Sequence, residues 1–268
     1  MAKFFRKERA AFIANNNLAS YLKYALGEIV LVVIGILIAV GINSKTVEYK
    51  NQQREEKILR QLLVEYESNL EEINDKIKMR NLIMGSIEKL IYYADSGITS
   101  NDLDSVSFHL LRTNYDPTFD PSNGVTTELL NSGKFYLLQN EELKGHLTSW
   151  SGAVAELAEQ EELTARFVYE EYMPYLIEHF EHRSILTSKY DSKMQKLYTQ
   201  GTSKKLNVPR TIKKEVLEAI LNDQSIQSYI IFIGRLHGSG NSQSMDTKNK
   251  IQRIIDTIKA ELGAPRFN

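Results

Sequence analysis

The sequence contains no cysteine, which excludes disulfide bonds, thiolate metal sites and a cysteine nucleophile. Proline and glycine are also scarce, with 5 and 14 of 268 residues, as expected for a mostly helical chain with few sharp turns. Neither sign of charge dominates, because 33 basic residues are opposed by 34 acidic ones. Such a balance provides no electrostatic footprint for nucleic acid, so no nucleic-acid partner is expected.

One long apolar run stands out in this otherwise polar chain. Ile29–Ile42 is a stretch of 14 consecutive apolar residues, and adding Tyr24–Glu28 makes 19 residues with a single charge. A helix of that length spans about 28 Å, close to the hydrocarbon thickness of a bilayer. The sequence therefore predicts a transmembrane helix over residues 24–43. A cleaved signal peptide or a buried core helix is the alternative, but the leader before the run is long and nothing polar interrupts any face.

The orientation of this span is predicted from the basic residues around it. The numbers of basic residues before and after the span are nearly tied. The short tail 1–23, however, carries a compact cluster at Lys3, Arg6, Lys7 and Arg9. Short basic tails stay in the cytoplasm, whereas long C-terminal domains cross largely regardless of charge. We expect a single-pass protein of the inner membrane, with a cytoplasmic N-terminus and a periplasmic C-terminal domain.

Three residues of the span are candidates for a role in assembly. Glu28 places a carboxylate in an apolar helix, which is costly and marks a functional candidate by default. The simpler interpretation is that Glu28 lies near the helix end and reaches the interface. Gly35 and Ala39 form a small-xxx-small pair, which permits close approach of another helix. The lipid bilayer is thus one expected partner, and a second copy or another membrane protein is the other.

A long helix is predicted directly after the span, over residues 44–97. No proline or glycine occurs between Gly41 and Gly85, and apolar residues recur at spacings of three and four from Leu59 to Ile91. The helix either packs inside its own domain or forms a self-associating stalk. Residues 98–268 are predicted to form a helical soluble domain, so the expected fold class is all-α, ending in a helical bundle.

The chief irregular segment is residues 113–124, TNYDPTFDPSNG. Each of its two Asp-Pro steps disfavours helix before the proline, and Asn123-Gly124 is a turn signal. Asp116, Asp120 and Asn123 are the candidate recognition residues of this loop. They offer oxygen ligands for Ca²⁺, but their spacing does not match an EF-hand loop. A structural loop is the simpler interpretation, and we expect no metal and no cofactor.

Helix boundaries in the C-terminal part follow from capping and breaking residues. Gly133 suits a helix end, Asn140 is expected to cap the next helix, and Asp223 to cap a later one. Pro174 should kink or split the helical pattern of 152–181. Trp150 is expected in the core or at a domain junction.

Further along the chain, Pro209 precedes another helical pattern. Residues 229–233, YIIFI, fit a helix better than a strand. Gly238–Ser242 are expected to form a flexible turn before a last helix that Gly263 ends.

Catalytic motifs are missing from the sequence. Glu178–His182 places two imidazoles three apart on a helix, but neither the H-E-x-x-H zinc signature nor a repeated Glu-x-x-His is present. Ser239 lies in a glycine-rich segment without the G-x-S-x-G pattern. We therefore expect a solvated helix face at Glu178–His182, and a protein that is not an enzyme.

Several blocks of the sequence resemble a known family. They are KYALGEIVLVVIGILIAVGIN at the predicted span, KFFRK near the N-terminus and FDPSNGVTTELLNSGKFYLLQNEELKGHLTSW further on. Together they resemble an uncharacterised family of single-pass inner-membrane proteins from Bacteroidota bacteria. The resemblance is good over the first 150 or so residues. It implies a membrane anchor and a helical soluble part, and it implies no known reaction.

Two functions fit these expectations. The first is a non-enzymatic assembly, scaffold or accessory subunit of an inner-membrane complex. The second is a periplasmic sensor or ligand-binding module that uses the loop 113–124.

Overall fold

The computed structural model describes residues 18–181, 185 and 212–263, with side chains from residue 22. In these ranges the chain forms helices and connecting loops and no strand, so the all-α prediction is confirmed for them. The chain divides into two compact units, Met1–Lys57 and Ile58–Asn268.

The described part of the first unit is helical. It belongs to α1, which the structure bounds at Leu18–Ser96. Every large apolar side chain from Ile29 to Ile42 is exposed, from 46% at Val33 to 74% at Leu31. Among the described residues, α1 is the one helix long and apolar enough to cross a membrane, and its apolar window is not buried by protein. The alternative of a buried core helix therefore does not describe this segment.

The second unit contains the rest of α1 and seven further described helices. They are α2 (Leu103–Arg112), α3 (Gly124–Asn131), α4 (Glu141–Thr148), α5 (Trp150–Arg166), α6 (Met173–His179), α7 (Lys214–Asn222) and α8 (Gln224–Gly263). A 3₁₀ turn, Phe135–Leu137, lies between α3 and α4. α1 ends where Gly97 adopts a φ of 73°, and Gly133 follows α3 with a φ of 69°. Both glycines take the left-handed conformation that commonly ends a helix.

The apolar stripe of α1 is buried inside the second unit. Leu62, Tyr66, Ile73, Ile83 and Leu90 are each 0% exposed. This burial matches the packing alternative for residues 44–97, because from Leu59 onward the stripe contributes to the domain core.

The core of the second unit has two clusters, and α1 and α8 contribute to both. One cluster joins the α1 segment from Met79 to Leu90 with α2, α6, α7 and the first part of α8. The other joins the α1 segment from Leu59 to Ile73 with α3, α4, α5 and the last part of α8. Trp150 is 2% exposed and packs edge-on against Tyr66, with ring centroids 5.2 Å apart. Of the two expected places for Trp150, the core or a domain junction, the structure shows the core.

Two predicted caps are present. The Asn140 side chain accepts a hydrogen bond from the Leu143 N–H at 2.9 Å, and Asp223 Oδ1 accepts one from the Ile226 N–H at 2.8 Å. Pro209 lies outside the described residues.

The proline in the long C-terminal pattern interrupts the regular helix, as predicted. α5 continues through a wider π-helical turn, Phe167–Tyr172, before α6 begins. Pro174 lies in the first turn of α6, and the amide of Met173 bonds to the carbonyl of Val168, five residues back. Pro174 has no N–H with which to donate the next backbone hydrogen bond. The regular α-helix is therefore interrupted at the wide turn and the proline that follows it.

The prediction of a flexible turn at Gly238–Ser242 is wrong. These residues lie inside α8, which is continuous over 40 residues. The physical reason is tertiary: a Cβ at Gly240 would lie 3.3 Å from Arg80 Nε, so glycine permits close approach of α1. Asn241 Nδ2 also donates to Asn81 Oδ1 at 2.8 Å. Residues 229–233 lie in the same helix, which confirms the helical interpretation of YIIFI.

Candidate functional site

The most deeply buried charged side chain of the described residues is Arg80 on α1, which is 1% exposed. Its Nη2 donates to Glu161 Oε1 on α5 and, at 3.1 Å, to the carbonyl of Pro117. Its Nη1 donates to Ser244 Oγ on α8 at 2.6 Å. Arg80 thus connects two other helices and the loop 113–124 to α1.

Glu161 completes the bonding around this guanidinium. Its second oxygen accepts a hydrogen bond from the Phe119 N–H at 2.9 Å, while the first accepts from Arg80. Burial raises the pKa of Glu161, whereas the Phe119 amide and the Arg80 charge act to lower it. Removing either member of such a buried pair leaves an uncompensated charge, so the pair strongly favours this one arrangement of the loop and helices.

The Arg80 charge also acts on the pKa values of two further side chains. Burial raises the pKa of Asp116 to about 6, with the Arg80 charge acting to lower it. Burial lowers the pKa of His237 to about 3, and Arg80 lowers it further by repulsion. His237 is therefore neutral at pH 7, and its buried Nε2 has no hydrogen-bond partner among the described residues. We call Arg80, Asp116, Glu161, His237 and Ser244 the Arg80 cluster.

The rest of the loop 113–124 is bonded to side chains of α1. Asn69 Nδ2 donates to the Ser122 carbonyl at 2.7 Å, and its Oδ1 accepts from the Ser122 N–H at 2.8 Å. Glu72 Oε1 accepts from the Asp120 N–H at 3.1 Å. The amide of Asn69 therefore pairs with the loop backbone much as another peptide group would.

Glu65 holds the point where the loop becomes α3. Its carboxylate accepts from the Val125 N–H at 2.6 Å and from the Thr126 N–H at 3.1 Å. The Thr126 hydroxyl donates to the same carboxylate at 2.6 Å. A carboxylate from α1 thus occupies the N-terminus of α3, where free amides and the helix dipole favour negative charge.

The predicted loop residues are not brought together as a ligand set. Asp116 is half-buried in the Arg80 cluster, Asp120 is exposed, and Asn123 is exposed at the start of α3. Among the described residues, no group of three or more acidic or histidine side chains is arranged to hold a metal ion. The geometry supports the structural interpretation of this loop.

The candidate residues of the apolar span lie in the first unit. Glu28, Gly35 and Ala39 are all exposed on α1. A Cβ placed on Gly35 would meet no atom within 4 Å in the described chain. The small surface around Gly35 is thus open to another helix.

The predicted solvated face near residue 179 agrees with the described part of that segment. Glu178 and His179 are exposed, and the His179 ring stacks on Tyr175 with centroids 4.1 Å apart. His182 lies outside the described residues.

The sequence pattern does not reveal the side chains that hold the loop and the start of α3. Glu65, Asn69 and Glu72 are ordinary polar positions of a long amphipathic helix, and such positions usually face water. One signal was present, because they follow the spacing of four and three that defines a single helix face. That face borders the buried stripe containing Tyr66 and Ile73.

A cleft of about 400 Å³ lies elsewhere in the second unit, between α4, α5 and α8. Residues from 113 to 124 do not line it. Its walls are formed by polar and charged side chains around Leu157 and Ala153. This cleft, rather than the loop, is the concave surface on which a small ligand would find both charged and neutral partners.

Comparison with known proteins identifies a family. The sequence model of one protein family, described as a family of unknown function (DUF6090), matches residues 28–213. No curated protein and no solved structure matches the chain. The matched range includes Arg80, Asp116 and Glu161, whereas His237 and Ser244 lie beyond it.

Proposed function

The chain belongs to this family of unknown function, and we propose that it is a membrane-anchored, non-enzymatic scaffold or accessory subunit of a membrane complex. The observation that supports this proposal is the apolar run of α1, whose side chains are exposed on every face. Water is a poor solvent for such a surface, whereas the hydrocarbon of a bilayer matches it in polarity and length.

The use of the buried polar groups supports a non-enzymatic role. The side chains of Arg80, Glu161 and Glu65 are directed to backbone amides, carbonyls and each other, and these contacts hold a loop and a helix start in place. A catalytic group needs instead to meet a substrate in a cleft. The family resemblance includes FDPSNG, which is the second half of the loop 113–124. These structural bonds account for that part of the loop.

We further propose that the span lies in the inner membrane with a cytoplasmic N-terminus and a periplasmic domain. The basic cluster in the tail 1–23 supports this orientation. Single cysteines in this cysteine-free chain test it with a maleimide that does not cross membranes. We expect Tyr136→Cys, at a side chain 64% exposed, to react in intact spheroplasts. Ala2→Cys should react only after lysis, and the reverse pattern would overturn the orientation.

Extraction tests the anchor itself. Alkaline carbonate should leave the intact chain in the membrane pellet, and release of the full-length chain would contradict the anchor. In mild detergent, light scattering should give a mass above one chain, from self-association or from a partner. A strictly monomeric particle would argue against the subunit proposal.

Gly35 provides a sharper test of assembly through the span. Gly35→Leu fills the small surface and should weaken association. Ile36→Leu, at the next position of the same helix, is the matched control and should leave the mass unchanged. If the two variants have the same mass, Gly35 and Ala39 do not form the interface.

A ligand-binding or sensor module is the second candidate. The cleft between α4, α5 and α8 is the observation that favours it. Asp120 and Asn123 are exposed. The loop 113–124 is therefore the alternative location for ligand recognition. A ligand whose stabilising effect on the melting temperature is lost in Asp120→Ala and Asn123→Ala would place recognition at the loop.

A further inference from the structure

Two side chains that line the cleft between α4, α5 and α8 each have a buried polar atom without a hydrogen-bond partner among the described residues. His146 Nε2 and Gln243 Oε1 are buried and have no hydrogen-bond partner among the described residues. The Glu142 carboxylate lies 3.6 Å from His146 Nε2, which is too long for a hydrogen bond. Buried polar atoms are nearly always bonded to protein, water or a ligand, so these two side chains have hydrogen-bonding capacity that the described chain does not use.

The α8 wall of the cleft carries both signs of charge along one helix face. Gln243, Asp246, Lys250 and Arg253 line the cleft and follow one another at spacings of three, four and three. Acceptors lie at one end of this row, and cations at the other. Among the described residues, neither Asp246 nor Arg253 has an ion-pair partner. Both charges are therefore available to a ligand.

The remaining walls hold one of the two cations and add a second acid. Lys250 Nζ donates to the Ser149 carbonyl at 2.8 Å, so the ammonium is held in the cleft without being neutralised. Partial burial lowers the pKa of Lys250, which indicates that part of its hydration is lost. Glu156 lines the cleft from α5. The charges around the cleft thus balance, which suits a ligand that is neutral as a whole and charged at both ends.

We propose that this cleft binds a small zwitterion of the size of a three-residue peptide. Its carboxylate would meet Lys250 and Arg253, and its ammonium would meet Asp246. Asp246 and Arg253 are seven residues apart on α8, which is about 10 Å of helix rise. The termini of an extended tripeptide are separated by about the same distance, at roughly 3.3 Å per residue. The inference goes beyond the scaffold proposal and stands or falls without it.

The test uses the full chain in mild detergent and trialanine as the probe, followed by isothermal titration calorimetry. Trialanine should bind, and either N-acetyl-trialanine or trialanine amide should bind at least roughly tenfold more weakly, because each loses one charge-assisted contact. No binding of trialanine up to about 10 mM would overturn the proposal. Equal binding of the free and blocked peptides would overturn it as well.

Variants then assign the two ends. Arg253→Gln should weaken trialanine binding and reduce the preference for the free peptide over its amide, while leaving the penalty for N-acetylation intact. Asp246→Asn should do the converse. Arg235→Gln is the matched control, since Arg235 is an exposed cation of α8 that does not line the cleft. If Arg235→Gln and Arg253→Gln weaken binding equally, the site is not in this cleft. Loss of membrane anchoring would leave these outcomes unchanged, so the two proposals fail separately.

Discussion

Arg80 and Glu161 form a buried ion pair that joins α1 to α5, and the same carboxylate holds the amide of Phe119 in the loop 113–124. One pair of side chains therefore fixes two helices and a loop. Both members are almost fully shielded, at 2% and 5% side-chain exposure. Their interaction differs in kind from the ion pairs on the surface of the same domain.

Glu161→Gln should destabilise the protein strongly, because it leaves the Arg80 guanidinium buried without a counter-charge. The expected loss is about 3–5 kcal/mol of the free energy of unfolding. Chemical denaturation of the full chain in detergent measures it. Lys259→Met is the control, since Lys259 and Glu67 form a pair at 2.7 Å with side chains about half exposed. That variant should cost less than about 1 kcal/mol, and equal losses would contradict the role of burial.

Asn69→Ala should loosen the loop 113–124. It removes both part-buried hydrogen bonds to the Ser122 backbone, at a cost of roughly 1–3 kcal/mol for the two together. Limited proteolysis should then cut faster within residues 113–124. Glu71→Gln, at an exposed position of the same helix, is the control and should leave the cleavage rate unchanged.

Gly240→Ala and Gly238→Ala should have opposite effects, although both add a methyl group within α8. At Gly240 the new Cβ would lie 3.3 Å from Arg80 Nε, and Arg80 is held by three hydrogen bonds and cannot readily move. A loss of about 1–3 kcal/mol is expected there. At Gly238 no atom lies within 4 Å, so a gain of roughly 0.5–1 kcal/mol is expected from helix propensity. Thermal melting followed by circular dichroism compares them, and a stabilising Gly240→Ala would refute the close packing.

Acid should destabilise the domain through His237. Its pKa is lowered from 6.5 to about 3 in the folded protein, so the unfolded chain binds the proton more tightly. This contribution to stability is present above pH 6.5 and is lost progressively as pH falls from 6.5 towards 3. His237→Leu should therefore flatten the decline in unfolding free energy between pH 7 and pH 4.5. An unchanged slope would show that His237 does not carry the effect.

Asp116 should oppose His237 over part of the same range. Its pKa is raised from 3.8 to about 6 on folding, so the folded chain binds the proton more tightly, and stability is gained as pH falls from 6 to 3.8. Asp116→Asn removes this gain. The variant should lose stability between pH 6 and pH 4.5 more steeply than the natural protein in the same denaturation series, and a shallower slope would reverse the assigned sign.

Local features were predicted well, because neighbouring residues cause them. The caps at Asn140 and Asp223 bond to amides three residues ahead, and Gly97 and Gly133 end helices through their own backbone freedom. The partners of Arg80 are 37, 81 and 164 residues away along the chain. No spacing rule connects such positions, so the sequence does not reveal the Arg80 cluster, and it presents the loop aspartates only as candidate ligands.

By itself the sequence determined the helical class of the described chain, the apolar run of α1 and most of the helix ends, since hydrophobic periodicity, side-chain caps and glycine conformation act within one or two turns. Only the tertiary structure decided that Gly238–Ser242 continue a helix, that the loop 113–124 is bonded to Asn69, Glu72 and Arg80, and that Glu65 binds the start of α3. The reason is that packing against α1 outweighs the weak local preference of glycine and serine for a turn, and that a buried charge selects its partners by distance in space.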